Sequence, residues 1–263
     1  MKRFMGLLLR ALSVLVLIAL LLLLALRVTP LHVYDGFESP HLSRLRWLNR
    51  RFEPGSIRSE ESLVRSGRRA LVITVHPGDR PEAASQGGAA TERDELMEAW
   101  WLFSRTGPSY VYSFSLYLPK EFPQTPERLV IAQWRQLCLH PCVPDNPILA
   151  LRYERGRLQV TRNDEHGKTV LYQGDEDVRG RWLDFRFIAR WDRSTTGTLD
   201  ATVDGRGILH YEGPTIYQPG SGHSRHALIY FKTGLYRDAL HDPPWTMYVD
   251  EYRKDQCDAG GCR

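Results

Sequence analysis

The sequence predicts an all-β protein, a two-sheet sandwich of jelly-roll type, and three observations carry that prediction. Short runs rich in β-branched and aromatic residues recur along the chain, each bounded by turn residues. Two of the boundaries, Arg155-Gly156 and Asp204-Gly205, read as hairpin turns joining neighbouring strands. Helical periodicity is almost absent after residue 28, and from Leu183 to Trp191 apolar residues hold the odd positions and mostly polar ones the even positions. Many short strands without covering helices bury their apolar faces sheet on sheet.

The N-terminus is different in kind. Met1-Lys2-Arg3 precedes a leucine-dominated apolar run from Phe4 to Leu26, interrupted by Gly6, Arg10 and Ser13. Basic residues at this end imply that it stays cytoplasmic and that the rest of the chain is exported. Ala11 to Leu26 is 16 residues, short of the roughly 20 that span a bilayer core; adding Met5 to Leu9, with Arg10 snorkelling, makes a span feasible. Ala25-Leu26-Arg27-Val28-Thr29 is a poor small-x-small cleavage site. The expectation is therefore a signal anchor over residues 1–28, with a cleaved signal peptide as the competing reading. The protein is expected to be exported, either membrane-anchored with its domain on the periplasmic or extracellular side, or secreted.

Residues 29–263 are long enough for one well-buried domain. They show no linker, repeat or low-complexity block, and the softest segment runs from Pro81 to Thr91. The net charge is +4, and Lys2, Arg3 and Arg10 of the N-terminal segment supply three of its positive charges. Nucleic-acid binding is not expected from so modest a charge without a recognised motif.

Strands are predicted over Ala70–Val75, Tyr110–Leu118, Leu129–Arg135, Ile148–Tyr153, Leu158–Arg162, Leu183–Trp191, Thr198–Val203, Ala227–Phe231 and Trp245–Tyr252. The four cysteines fall in two local pairs, Cys138 with Cys142 and Cys257 with Cys262. Export makes disulfides the default, pinning a loop and the C-terminal tail rather than the core. A zinc site using the four thiols and His140 is the sharper alternative, but its spacings depart from the usual knuckles.

Three strand-like stretches present polar pairs at even spacing, which places each pair on one face. Arg93 and Glu95 form the first, Gln133 and Arg135 the second, and Tyr230, Lys232 and Tyr236 the third, backed by apolar Ile229, Phe231 and Leu235. Singly, each reads as a solvated strand face, and Arg93 with Glu95 as a surface ion pair worth under about 1 kcal/mol. Their order and shared parity favour a common site on a sheet concave enough to hold a polymer.

In these stretches the chain resembles the superfamily of jelly-roll polysaccharide lyases that includes the alginate, glucuronan and heparin lyase types. The motifs stand here as Arg93-Asp94-Glu95-Leu96, Gln133-Trp134-Arg135 and Tyr230-Phe231-Lys232-Thr233-Gly234-Leu235-Tyr236. Framework stretches at Asp35–Ser39, Arg65–Leu71 and Trp182–Gly205 extend the likeness over almost the whole exported part. The resemblance implies a concanavalin A-like jelly roll acting on an acidic polysaccharide by β-elimination, with no required cofactor and room for a structural calcium ion. It implies that Arg93, Gln133 and Lys232 neutralise the uronate carboxylate, that Tyr236 is the acid and a candidate for the base as well, and that Glu95 and Tyr230 bind substrate.

One position departs from the pattern: Arg135 stands where the family has histidine. Arginine stays protonated and cannot be a base, although it pairs bidentately with carboxylates. Either Arg135 joins the neutralising set and Tyr236 performs both proton transfers, or the chain binds acidic glycans without cutting them. A structural envelope protein is the third reading. His140, His166, His210, His223, His226 and His241 read individually as loop or rim histidines, any one of which would have to approach the site to replace the missing base. Asp250 and Glu251 are adjacent in a strand-like run and so are not expected to flank one glycosidic bond.

Overall fold

The computed structural model describes residues 10, 12–17, 31–48, 52–80, 91–124, 128–138, 142, 146–219, 223, 227–239, 243–257 and 261–262. The chain divides into two units, residues 1–31 and 32–263. In the first, residues 10 and 12–17 are helical. Among the described residues no helix is long and apolar enough to cross a membrane. The expected anchor thus gains no support here, and most of residues 1–28 lies outside the described part.

The second unit is built almost wholly of strands. In chain order they are β1 (His32–Asp35), β2 (Trp47–Leu48), β3 (Ile57–Glu60), β4 (Ala70–Val75), β5 (Thr91–Glu98), β6 (Ser104–Arg105), β7 (Ser109–Tyr117) and β8 (Leu129–Gln136). The remaining strands are β9 (Leu149–Glu154), β10 (Arg157–Asp164), β11 (Gly167–Gln173), β12 (Trp182–Arg190), β13 (Thr198–Val203), β14 (Arg206–Glu212), β15 (Leu228–Asp238) and β16 (Trp245–Gln256). One sheet has the order β14-β13-β12-β7-β16-β4-β3 with β1 also on β16; the other has β11-β10-β9-β8-β15-β5-β2 with β6 also on β15. Every pairing is antiparallel.

The inner faces meet over an aromatic core. Trp134 of β8 lies 4.7 Å from Phe187 of β12 and 5.1 Å from Phe231 of β15, ring centre to ring centre. Phe114 of β7 approaches Phe231 at 5.3 Å, tying the sheets together. A charged pair lies in the same interior: Lys254 Nζ donates to both Glu98 oxygens at 2.9 Å, and both side chains are fully buried. Arg155 and Asp204 take positive φ at the first turn position, each followed by a positive-φ glycine, as the two predicted hairpins require.

β4 and β13 coincide with their predicted spans, and the other predicted strands begin or end within a few residues of theirs, except that β15 runs seven residues beyond Phe231, to Asp238. The short strands β1, β2, β3 and β6 and the longer β11 and β14 are not among the predicted ones; β11 and β14 close one end of each sheet and are largely exposed, leaving little alternation to read. Both predicted disulfides are formed, Cys138–Cys142 and Cys257–Cys262. No cysteine is free, so the zinc alternative falls. Among the described residues no cluster of His, Cys, Asp and Glu is arranged to hold a metal ion. Simple alternation does not hold at Asp250 and Glu251, since Glu251 has φ 54° in a bulge of β16. Asp250 is nevertheless buried and caps the backbone N–H groups of Arg65 and Ser66, a structural task.

Because Trp134 is buried against rings from both sheets, Trp134→Ala is expected to cost about 3–5 kcal/mol. A denaturant titration showing a lowered midpoint with unchanged slope checks this.

Candidate active site

β15 runs between β8 and β5, so the three strands carrying the polar pairs are immediate neighbours. Lys232 stands opposite Gln133 and Tyr230 opposite Arg135 on β8. Against β5, Tyr236 stands opposite Arg93 and Gly234 opposite Glu95. The register with β5 is continuous, whereas that with β8 slips by one residue between Thr233 and Tyr236.

Gly234 makes the slip feasible. Its φ is 145°, a value L side chains rarely adopt, and a Cβ there would overlap the Asp94 carbonyl oxygen and stand 2.6 Å from Glu95 Cα. The missing side chain also opens a path across the middle strand. Glu95 meets both the middle strand and the strand beyond it: Lys232 Nζ of β15 donates to one carboxylate oxygen and Gln133 Nε2 of β8 to the other.

All three are closed off from solvent, with Glu95 and Lys232 1% exposed and Gln133 0%. Burial opposes ionisation of Glu95, but the charges of Lys232 and Arg93 and the two hydrogen bonds hold its carboxyl below the usual range. Burial pushes Lys232 down to about 8, with Arg135 and Arg93 adding to the fall and Glu95 opposing it. The expectation that Glu95 binds substrate is therefore corrected, because both its oxygens are engaged. Gln133 and Lys232 likewise face Glu95 instead of standing open to a ligand.

The accessible part of the face is a set of arginines around one tyrosine. The guanidinium carbon of Arg93 lies 4.3 Å and that of Arg128 5.0 Å from the Tyr236 ring centre. Arg128 is anchored to Asp238 at 2.6 Å. Arg152 of β9, opposite Val130, is held by Nε to Thr161 Oγ1 at 2.9 Å. Burial and the charge of Arg128 push its guanidinium down, and Val130, which stands opposite both Arg152 and Tyr236, brings the two into line across β8. Arg93, Arg135, Arg152 and Tyr236 are partly exposed and Arg128 is exposed. Such a surface suits a polyanion.

Arg128 and Arg152 escaped the sequence reading. Arg152 alternates with apolar Leu151 and Tyr153, a faint signal; Arg128 precedes β8 and has none. Tyr230, expected at the substrate, is 8% exposed and its ring stacks on Phe103 at 5.1 Å. Asp94 points away from the site, where burial and a hydrogen bond to Asp79 push its carboxyl up to about 8. Of the histidines, His210 pairs with Asp200 on the other sheet, His223 is buried against the Tyr217 ring, and His166 lies in the turn between β10 and β11. His140, His226 and His241 lie outside the described residues.

The fold is an antiparallel two-sheet sandwich of jelly-roll type, with an arginine-flanked tyrosine on three neighbouring strands. Residues 33–253 match the polysaccharide lyase family, and the chain belongs to it. Among solved structures, an endo-β-1,4-glucuronan lyase from the fungus Trichoderma reesei is 16% identical with a TM-score of 0.63, covering 86% of this chain and 95% of that one. An alginate lyase of polysaccharide lyase family 7 is 15% identical with a TM-score of 0.55, over 78% and 84% of the two chains. An alginate lyase from Pseudomonas aeruginosa is 19% identical with a TM-score of 0.52, over 72% and 83%. These likenesses show the fold. No curated protein sequence matches the chain.

Removing one partner of a buried ion pair leaves the other uncompensated. Glu95→Gln is expected to cost about 3–5 kcal/mol, with Lys232→Met added to it restoring much of the loss. A double-mutant cycle by urea denaturation measures both, and additive losses would show that the pair is not coupled.

Proposed function

We propose that this protein is a lyase that cleaves a uronate-containing polysaccharide by β-elimination at Tyr236. The observation that carries this reading is the guanidinium pair of Arg93 and Arg128 on the Tyr236 ring, on the fold of a polysaccharide lyase family. The uronate C6 carboxylate pairs with Arg93 and Arg135, which makes the C5 proton acidic. The Tyr236 phenolate oxygen takes that proton; the released electron pair forms the C4–C5 double bond; the C4–O4 bond breaks. Tyr236 returns the proton to O4, leaving a 4,5-unsaturated uronate and restoring the phenolate. Lys232 supports the carboxylate electrostatically from beneath, and Glu95 and Gln133 position Lys232.

With arginine in the histidine position, one group performs both transfers. That suits substrates whose C5 proton and O4 lie on the same side, so glucuronate- or mannuronate-type polymers are the proposed class, in preference to guluronate or iduronate ones. The two disulfides fit an exported protein, and in this reading residues 1–28 tether the domain or direct its secretion. The second reading, an acidic-glycan binder without turnover, draws on Arg135 itself, since the departure from histidine falls at a proton-transfer position.

Tyr236→Phe separates the two. For a lyase, formation of the ultraviolet-absorbing unsaturated product falls by about 10²–10⁴-fold while polymer affinity is largely kept; a binder forms no product in either form. Arg135→His is expected to extend cleavage to guluronate-containing polymers, assayed on defined uronate blocks. Efficient guluronate cleavage by the unaltered protein would instead show that another base serves the site.

A further inference from the structure

Between β5 and β6, both paired to β15, the chain makes one 3-10 turn, Trp100–Leu102. This turn carries a pair of indoles out of the protein. Trp100 is 69% and Trp101 53% exposed, their ring centres lie 6.0 Å apart, and Leu45, beside them, is 75% exposed. Trp101 is fixed in place, its Nε1 donating to the Leu45 carbonyl at 3.0 Å. Large aromatic side chains are seldom left this open, and an anchored contiguous patch marks a surface that something covers.

Two features say what covers it. The patch adjoins the strands described above: Phe103, next after the turn, stacks on Tyr230, both rings buried, and Tyr230 stands opposite Arg135. From Arg93, opposite Tyr236, to Ala99 is six residues of extended chain, or about 20 Å, so the indoles lie several sugar units from the proton-transferring tyrosine. The two segments that carry the patch, residues 41–48 and 99–107, contain Arg44, Arg46 and Arg105 and no carboxylate. Aromatic faces beside guanidinium groups match a sugar ring with an apolar C–H face and an acidic substituent.

We propose that Trp100 and Trp101 form a distal subsite that stacks a uronate unit of the same polysaccharide, several units from the bond broken, so that the protein grips long chains in preference to short ones. This rests on the reading of Tyr236 as the cleavage site, and binding and turnover are therefore measured separately. Polymeric glucuronan or polymannuronate and a trisaccharide of the same units are titrated against the full chain and its Trp100→Ala/Trp101→Ala variant. Polymer affinity is expected to fall about tenfold or more, with trisaccharide affinity changed less than about twofold, and Trp100→Tyr/Trp101→Tyr recovers most of the loss because an aromatic face is kept.

Unchanged polymer affinity in the alanine variant overturns the proposal, as does an equal loss for polymer and trisaccharide, which would mark an effect on the fold or the cleavage site. Indole-dependent binding to phosphatidylglycerol vesicles with indole-independent polymer binding overturns it in favour of a membrane surface. Indole-dependent polymer binding without unsaturated product sustains the subsite and removes the lyase reading; product with indole-independent binding does the reverse. Binding to none of the polymers overturns both.

Discussion

Glu95, buried between Lys232 and Gln133, is the constraint on which the arrangement of this face depends. A carboxylate sealed from water needs a cation and further donors, and both come from other strands. One side chain therefore fixes how three strands stand beside one another. It also keeps a positive charge beneath the arginines, since Lys232 without Glu95 would lie buried among Arg93 and Arg135 with nothing to offset them. The cationic surface and its buried counter-charge form one electrostatic unit.

The same device recurs along β5. Glu92 accepts from Arg237 Nε at 2.8 Å on β15, and Glu98 receives Lys254 of the opposite sheet. With Glu95, three carboxylates of one eight-residue strand take cations from two other strands. Charge pairing here does much of what apolar contact does between β8 and β12, and it is directional. Directional pairing specifies register, which an apolar face alone fixes only to within a slip that conserves parity.

This explains what the sequence made legible. The apolar strands announce themselves, because a buried face imposes alternation. Thr91–Glu98 reads as a polar stretch, and its parity placed Arg93 and Glu95 on one face without revealing that Glu95 is sealed beneath it. Spacing reports faces; it does not report depth. Exposure separated Glu95, Gln133 and Lys232 from Arg93, Arg135 and Tyr236, and the sequence carries no record of exposure for residues of such similar polarity. Arg128 and Arg152 come from a strand approach and a neighbouring strand that no motif marks, and only pairing order brings them to Tyr236.

Gly234 bears on how such a site diversifies. With positive φ and a neighbouring strand where a side chain would begin, the position admits almost no substitution, and the separation of Lys232 from Tyr236 is held with it. Point mutation cannot retune that distance gradually. Variation in what the face accepts must therefore enter through the arginines at its margin, whose loss removes a charge without displacing the strands. The centre of the site is frozen ground, and its evolutionary freedom lies at the rim.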